Sequence, residues 1–126
     1  MKKGVCFFLL ISIGVLNSCK KDLNTYTLGI DIQSSFNQDN VQVLVDGQEL
    51  INKPLQTNYA LGLCFVDGQI STTKNKGEHN IKVVINNIVT KTESFKLKSN
   101  LYIGVNFDHQ TNEISFIYSP RPFAYD

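Results

Sequence analysis

The stretch GEHNIKVVINNIVTKTESFKL, residues 77–97, decides the fold because apolar and polar side chains alternate on both sides of a tight turn. Alternation with period two predicts a half-buried β-strand. In the first half, three apolar residues share one face: Ile81, Val83 and Ile85. Asn86-Asn87 predicts the turn, because asparagine tolerates the left-handed conformation that tight turns require. After the turn the alternation resumes, and Phe95 and Leu97 are expected to face inward, so the stretch predicts two antiparallel strands.

Five further segments of the chain show the same alternation: 28–32, 41–45, 61–65, 101–107 and 114–118. Polar stretches separate them, and no stretch combines helical periodicity with capping residues. About seven short strands joined by polar turns predict an all-β chain, as a single antiparallel β-sandwich of immunoglobulin-like or transthyretin-like type. A small β-barrel is the open alternative.

Two tetrapeptides are identical, Val45-Asp46-Gly47-Gln48 and Val66-Asp67-Gly68-Gln69. Asp-Gly after an apolar strand favours a type I′ hairpin turn, because both central residues then need positive φ. We interpret the two copies as convergent turn chemistry. A calcium site at Asp46, Glu49 and Asp67 is the alternative, but the ligand spacing of a calcium loop is missing.

Residues Val41–Leu50, followed later by Gly77–Val83, resemble the "VxVDG … GxHxIxV" pattern of PEGA-like and transthyretin-like β-sandwich modules. The Gly-x-Pro-Leu element of the PEGA pattern is replaced here by Asn52-Lys53-Pro54-Leu55. The resemblance implies a sandwich that serves as a scaffold, an adhesion domain or a carbohydrate-associated domain. It implies no catalytic residues.

The amino terminus combines Lys2-Lys3, an apolar run from Val5 to Leu16, and the sequence Leu16-Asn17-Ser18-Cys19. The apolar run is too short to span a bilayer, which takes about 20 residues. The segment resembles a bacterial lipoprotein signal peptide that ends in a lipobox. The resemblance implies cleavage before Cys19 and acylation of its sulfur, with palmitate-type chains as the membrane anchor. An ordinary secretory signal with an incidental cysteine is the alternative.

This interpretation divides the chain into a signal peptide at 1–18, a lipidated tether at 19–25 and a β-sandwich domain at 26–126. Lys20 stands where the inner-membrane retention signal of enterobacterial lipoproteins has aspartate. Lys20-Lys21-Asp22 resembles the charged stretch that follows the cysteine in surface lipoproteins of Bacteroidota. We therefore expect a lipid-anchored protein of the outer membrane, on its periplasmic or its cell-surface face.

Charge and cysteine content limit the possible partners. The chain carries 12 basic and 11 acidic side chains, and removal of the signal takes two of the lysines. Such a balance gives no support to a nucleic-acid partner. With Cys6 removed and Cys19 acylated, Cys64 remains alone, so no intramolecular disulfide is expected. Because Cys64 lies in an apolar run, we expect a buried and inert thiol.

The sequence lacks the motifs of the common catalytic sites, including HExxH, Cys-x-x-Cys, G-x-S-x-G and the phosphate-binding loop. His79 stands where a turn enters a strand and is expected to cap or pack, whereas His109 is expected to be solvated in a polar turn. Most carboxylates also fall in turns. We therefore expect no enzyme, no metal site and no cofactor.

The carboxyl-terminal tail, residues 119–126, is the best binding candidate that the sequence offers. Its two prolines favour an extended segment, and arginine and aromatic side chains are typical interface anchors. Arg121, Phe123 and Tyr125 are thus predicted to contact a partner. Alternatively, Phe123 and Tyr125 fold back over the open end of the sandwich. The polar stretch Gly68–Gly77 is predicted to be a solvated loop, or else a loop that meets acidic glycans or lipid headgroups.

Together these features predict a lipid-anchored envelope protein that acts by non-covalent binding, as an accessory subunit or an adhesion-type module. Its partners would be the membrane, through the acyl chains, and another envelope protein or a glycan. The alternative function is that of a glycan-binding or small-ligand-binding lipoprotein, for which Tyr26, Tyr59 and Tyr102 are possible platforms.

Overall fold

A computed structural model describes residues 24–64 and 68–125. The signal peptide, the lipobox with Cys19, most of the tether, and Phe65–Asp67 lie outside the described residues. The described parts contain nine strands: β1 (Thr25–Ile32), β2 (Asn37–Val45), β3 (Gln48–Asn58), β4 (Leu63–Cys64), β5 (Gln69–Asn75), β6 (Gly77–Ile85), β7 (Val89–Leu97), β8 (Leu101–Asp108) and β9 (Glu113–Ser119). None of these residues forms a helix that is long and apolar enough to cross a bilayer.

The strands form two packed sheets, which confirms the all-β sandwich. One sheet has the order β5-β1-β8-β9 and the other has the order β4-β3-β2-β6-β7. The apolar residues of the alternating segments face one another between the sheets and are inaccessible to solvent: Leu28, Ile30, Ile32, Val41, Val43, Val45, Ile81, Val83, Ile85, Ile103 and Val105. Burial of each such side chain stabilises the fold by about 1.5–3 kcal/mol.

One strand pair departs from the antiparallel prediction, because β1 and β8 run parallel. Parallel neighbours need a long connection, and here the whole five-stranded sheet is formed between Ile32 and Leu101. Side-chain alternation reports which face of a strand is buried and not the direction in which the strand runs. The sequence pattern therefore could not distinguish the two arrangements.

The strand count also differs from the expected seven, because two polar segments form strands. Gly68–Gly77, predicted to be a loop, contains β5, which pairs with β1 along its whole length. β5 is an edge strand whose side chains are all exposed or half-buried, so polar residues are tolerated there. The second polar segment forms β3, in which few side chains are buried. The predicted strand 61–65 contributes only β4 to the described chain.

The predicted tight turns are confirmed where the structure describes them. Asp46 and Gly47 both have positive φ, at 51° and 80°, as a type I′ turn between β2 and β3 requires. Asn86 and Asn87 likewise have φ of 54° and 57° between β6 and β7. In the second tetrapeptide Val66 and Asp67 lie outside the described residues, while the carbonyl of Gly68 accepts a hydrogen bond from the Ile32 amide over 2.6 Å.

The strand registers define two ends of the sandwich. The first, called the Thr25 end, carries the start of β1, the β2–β3 and β5–β6 turns, the β7–β8 connection and the end of β9. The second, called the His109 end, carries the β1–β2 connection and the turns between β6 and β7 and between β8 and β9. Because β1 runs from the first end to the second, the chain enters the domain at the Thr25 end.

Candidate functional site

The His109 end carries a cleft of about 420 Å³ between the β1–β2 connection and the β8–β9 turn. Its lining is polar apart from one aromatic ring: Ser34, Ser35, Asn106, Phe107, Asp108, His109, Gln110 and Ser115. Hydroxyl, amide, carboxylate and imidazole groups thus converge beside an aromatic side chain. The cleft is therefore a polar site with one aromatic wall, and its donors and acceptors suit a polar ligand.

His109 is held in place by a buried carboxylate. Its Nε2 lies 3.0 Å from Oδ2 of Asp39, and the Asp39 side chain is only 7% exposed. The Asn37 amide donates to the same oxygen over 2.8 Å, and Asn86 Nδ2 donates to Oδ1 over 2.8 Å. The imidazole also meets the Phe107 ring edge-on, with centroids 4.7 Å apart. His109 is exposed in a polar turn, as expected, and in addition its ring is oriented on two sides, by Asp39 and by Phe107.

The site keeps one edge of His109 available. The side chain is 46% exposed, so Nδ1 is the ring nitrogen left for a ligand when Nε2 is engaged by Asp39. The sequence could not reveal this pair, because Asp39 and His109 are far apart along the chain and come together only through the sandwich. A usable signal was the position of Asp39 at the start of one strand and of His109 just after another, which strand direction brings to the same end.

A hydrogen-bonded network continues from the cleft along the outer face of the four-stranded sheet. Asn106 Oδ1 accepts from the amide and the hydroxyl of Ser34, over 3.1 Å and 2.9 Å. Asn106 Nδ2 donates to Gln33 Oε1 over 2.9 Å, and Gln33 Nε2 donates to the Tyr125 hydroxyl over 3.0 Å. That hydroxyl donates in turn to Asp31 Oδ2 over 2.6 Å. The network thus joins one wall of the cleft to the carboxyl-terminal tail.

The three tail residues predicted to contact a partner have different surroundings. Tyr125 is half-buried and hydrogen-bonded to β1, so it fixes the tail on the sheet. Phe123 is half-buried and Arg121 is exposed. The Arg121 amide and carbonyl bond the Ser119 hydroxyl, which shapes the turn out of β9. Because β9 ends at the Thr25 end, residues 120–124 run back along the outer face of the sheet toward Gln33.

The aromatic platforms named for glycan binding also separate. Tyr59 is 66% exposed, in the connection after β3 at the His109 end. Tyr26 packs against the hydrophobic core. Tyr102 covers Gly29, where an added Cβ would lie 2.5 Å from the Tyr102 ring. Only Tyr59 of the three is therefore both exposed and at the end that carries the cleft.

His79 has a structural position, as expected. Its Nδ1 lies 2.6 Å from Asp46 Oδ2 and its Nε2 lies 2.6 Å from the Asn75 carbonyl, while its ring contacts Phe95 with centroids 5.9 Å apart. Burial lowers the pKa of His79, but the bonds to Asn75 and Asp46 outweigh burial and raise the pKa above 6.5. Burial also raises the pKa of Asp46, but the bonds from His79 and the Asn80 amide lower it below 3.8 overall.

Two of the carboxylates considered for the alternative calcium site are already hydrogen-bonded to other protein groups. Both Asp46 oxygens are engaged, by His79 and by the Asn80 amide, and the Glu49 carboxylate accepts bonds from Gln42 and Asn52. Asp67 lies outside the described residues. Across residues 24–64 and 68–125, no three His, Cys, Asp or Glu side chains come together as a metal site.

Cys64 is buried, with 1% of its surface exposed. Burial raises the pKa of its thiol, the Thr57 hydroxyl at 3.5 Å opposes that shift, and the charge of Asp39 adds to it. A thiol that is neutral and inaccessible is a poor nucleophile. Comparison of the chain with protein-family models and with curated protein sequences finds no match.

Proposed function

We propose that this protein is a lipid-anchored module of the bacterial outer envelope that binds a partner non-covalently, as an accessory or adhesion-type subunit. Cys19 carries the anchor, and the end of the sandwich with the cleft faces away from the membrane. The proposal includes no chemical step. It places the protein in the outer membrane, with its β-sandwich held outside the bilayer.

The observation that carries the proposal is the separation of the chain's entrance from the cleft. Residues 20–24 lie between Cys19 and Thr25, and at about 3.5 Å per residue this tether spans at most roughly 20 Å. The Thr25 end is therefore kept near the acyl chains. His109 and its cleft lie at the other end of β1 and β8, where a partner can approach without meeting the membrane.

Acylation is tested by metabolic labelling with a palmitate analogue, followed by membrane fractionation of cells that express the wild type or Cys19→Ala. The wild type should carry label and sediment with outer membranes. Cys19→Ala should carry none and either accumulate as precursor or leave the membrane fraction. Wild-type protein that sediments with membranes but carries no palmitate label would overturn the lipid anchor.

Partner contact is tested by site-specific photo-crosslinking in intact cells. A photoreactive side chain at exposed Gln110 should give a discrete adduct, because Gln110 lines the cleft. The matched control replaces exposed Thr92, in the middle of β7 on the outer face of the other sheet. An equal adduct pattern from both positions would contradict a binding surface at the His109 end.

A second candidate function, binding of a glycan or another small polar ligand, is favoured by the lining of the cleft. Three serines, two side-chain amides and an oriented imidazole offer both donors and acceptors to hydroxyl groups, and Tyr59 is exposed at the same end. A glycan array probed with wild type, His109→Ala and the control Thr92→Ala tests this function. Binding lost only in His109→Ala supports it, and equal signals in all three contradict it.

A further inference from the structure

The Thr25 end carries three lysines whose amino groups have no acidic partner among residues 24–64 and 68–125. Lys76 lies in the β5–β6 turn, and Lys96 and Lys98 lie at the end of β7. All three side chains are exposed, and they line one groove of about 280 Å³. Glu78 stands opposite Lys96 in the strand register, yet none of these three lysines forms an ion pair with another described residue.

The groove lies beside the point where the chain enters the domain. The Lys76 amide donates to the Asn24 carbonyl over 2.9 Å, and Asn100, two residues after Lys98, accepts from the Thr27 amide over 2.9 Å. Lys20 and Lys21 precede this point in the sequence. Lys76, Lys96 and Lys98 therefore lie on the side of the domain to which the tether leads.

The opposite end has the opposite character. Asp39 and Asp108 lie there, and the described turns of the His109 end, 33–36, 59–62, 86–88 and 108–112, contain no lysine. The Thr25 end also carries acidic side chains: Asp46 is paired with His79 and Lys74, and Glu49 and Glu78 lie at the starts of β3 and β6. Along the axis that runs from the tether to the cleft, the lysines still leave this end positive on balance, whereas the described turns of the opposite end are neutral to acidic. A negatively charged surface would attract the first end and leave the second free.

We propose that Lys76, Lys96 and Lys98 bind the phosphate groups of anionic lipids in the same membrane that holds the acyl chains. This inference rests on the lipid anchor of the proposed function. The tether keeps Thr25 within roughly 20 Å of the anchor, and the lysines lie at the same end of the sandwich, so they can approach the leaflet to within the screening length of about 8 Å at physiological salt. Each lysine near an anionic leaflet adds to binding, so the three together stand the sandwich upright with the cleft outward.

The test uses the acylated protein, purified from membranes and reconstituted into vesicles that carry a quencher on the lipid headgroup. A fluorophore is attached at Ser99→Cys, beside the lysines, or at Gln110→Cys, in the cleft. Vesicles of phosphatidylcholine alone are compared with vesicles that also contain phosphatidylglycerol. We expect quenching at position 99 to rise severalfold with phosphatidylglycerol and to fall again at high salt, while position 110 stays unquenched.

Charge variants make the result specific. The triple variant K76Q/K96Q/K98Q should lose the response to phosphatidylglycerol. The control K82Q should keep it, because Lys82 is exposed in the middle of β6 and away from both ends. Unfolding midpoints of the variants should match the wild type, since the exchanged side chains are exposed. Equal quenching in both kinds of vesicle, or a response that survives in the triple variant, would overturn the lysine contact.

Failure of this inference is distinguishable from failure of the proposed function. Mass spectrometry of the purified wild type reports acyl chains on Cys19 before any vesicle experiment. Protein without acyl chains would overturn the anchor and with it the inference. Acylated protein whose quenching ignores lipid charge would overturn the lysine contact alone and leave the anchored binding module in place.

Discussion

The Tyr125 hydroxyl donates a hydrogen bond to the Asp31 carboxylate over 2.6 Å and accepts one from Gln33 Nε2 over 3.0 Å, which fixes the end of the chain to its first strand. Asp31 is only 7% exposed, so this hydroxyl replaces water as its partner. The tail is thereby part of the sandwich, and the same network reaches the cleft through Asn106.

Tyr125→Phe should detach the tail and lower the free energy of unfolding. It removes one donor from a nearly buried carboxylate, and such a loss costs about 1–3 kcal/mol. Urea unfolding measures the cost, and hydrogen exchange of residues 120–125 should accelerate. Tyr59→Phe is the matched control, since Tyr59 is exposed and should change neither quantity. Unchanged exchange in the tail of Tyr125→Phe would show that the hydroxyl does not hold it.

The same contact predicts a loss of stability at alkaline pH. Burial, followed by the bond to Asp31 and despite the bond from Gln33, raises the pKa of Tyr125 from 10.0 to about 12. A pKa raised on folding contributes stability that is present below pH 10 and declines as the pH approaches 12. The difference in unfolding free energy between wild type and Tyr125→Phe should therefore shrink over that range. A constant difference would contradict the shift.

The sequence predicted the parts of the fold that alternation encodes and missed the parts that depend on strand partners. The buried faces around Val43, Val83 and Val105 follow from period two. Strand β5 was missed because an edge strand needs few apolar residues. The hydrogen-bonded network of Asp31, Gln33, Asn106 and Tyr125 joins residues up to 94 positions apart. The sequence does not distinguish these polar residues from others, because only the sheet order places them on one face.

We predict that only glycine at position 104 leaves enough space for the Gln33 side chain. An added Cβ at Gly104 would lie 2.5 Å from Gln33 Oε1 and 2.8 Å from its Cδ, so Gly104→Ala should expel the amide from the network. Overpacking of this kind typically costs about 1–3 kcal/mol. In the double variant Gln33→Ala/Gly104→Ala the clash is gone, so its cost should be less than the sum of the single costs. Additive costs would contradict the clash.

The Asp46–His79 pair predicts that stability depends on pH at both limits of a window. The raised pKa of His79 contributes stability that is complete below pH 6.5 and declines as the pH rises through the folded-state pKa. The lowered pKa of Asp46 contributes stability that is complete above pH 3.8 and declines as the pH falls through its folded-state pKa. The pair should therefore stabilise most between those values.

The measurement is the pH profile of the unfolding free energy for wild type and Asp46→Asn. The variant loses the charge partner of the imidazolium, so the stability advantage of the wild type should be greatest inside the window and smaller on both sides. His109→Gln is the control at the opposite end of the sandwich and should leave the profile around His79 unchanged. A wild-type advantage that keeps rising above pH 8 would have the wrong sign.

Cys64 should resist alkylation in the folded protein. Its thiol is 1% exposed and burial raises its pKa, so both accessibility and thiolate content are low. Iodoacetamide at pH 8 should modify Cys64 only after urea is added, with a rate that follows the unfolded fraction. Cys64→Ser should fold with a modest loss of packing. Rapid modification without urea would contradict the buried position.

Thr57→Val is the sharpest test of the connection that shapes the cleft. The Thr57 hydroxyl is buried, donates to the Gln33 carbonyl over 2.7 Å and accepts from the Phe36 amide over 2.9 Å. It thus holds both ends of the segment that contributes Ser34 and Ser35 to the cleft. Valine keeps the shape but leaves the carbonyl and the amide without this partner, at a cost of about 1–3 kcal/mol each.

We therefore expect Thr57→Val to lower the unfolding free energy in urea and to speed hydrogen exchange at the Phe36 amide. The matched control is Thr73→Val on β5, where the side chain is exposed; the exchange should be close to neutral because both side chains are β-branched and suit a strand. Equal stability of the two variants would show that the Thr57 hydroxyl does not fix the β1–β2 connection. The shape of the cleft would then depend on the bonds between Asn106 and Ser34.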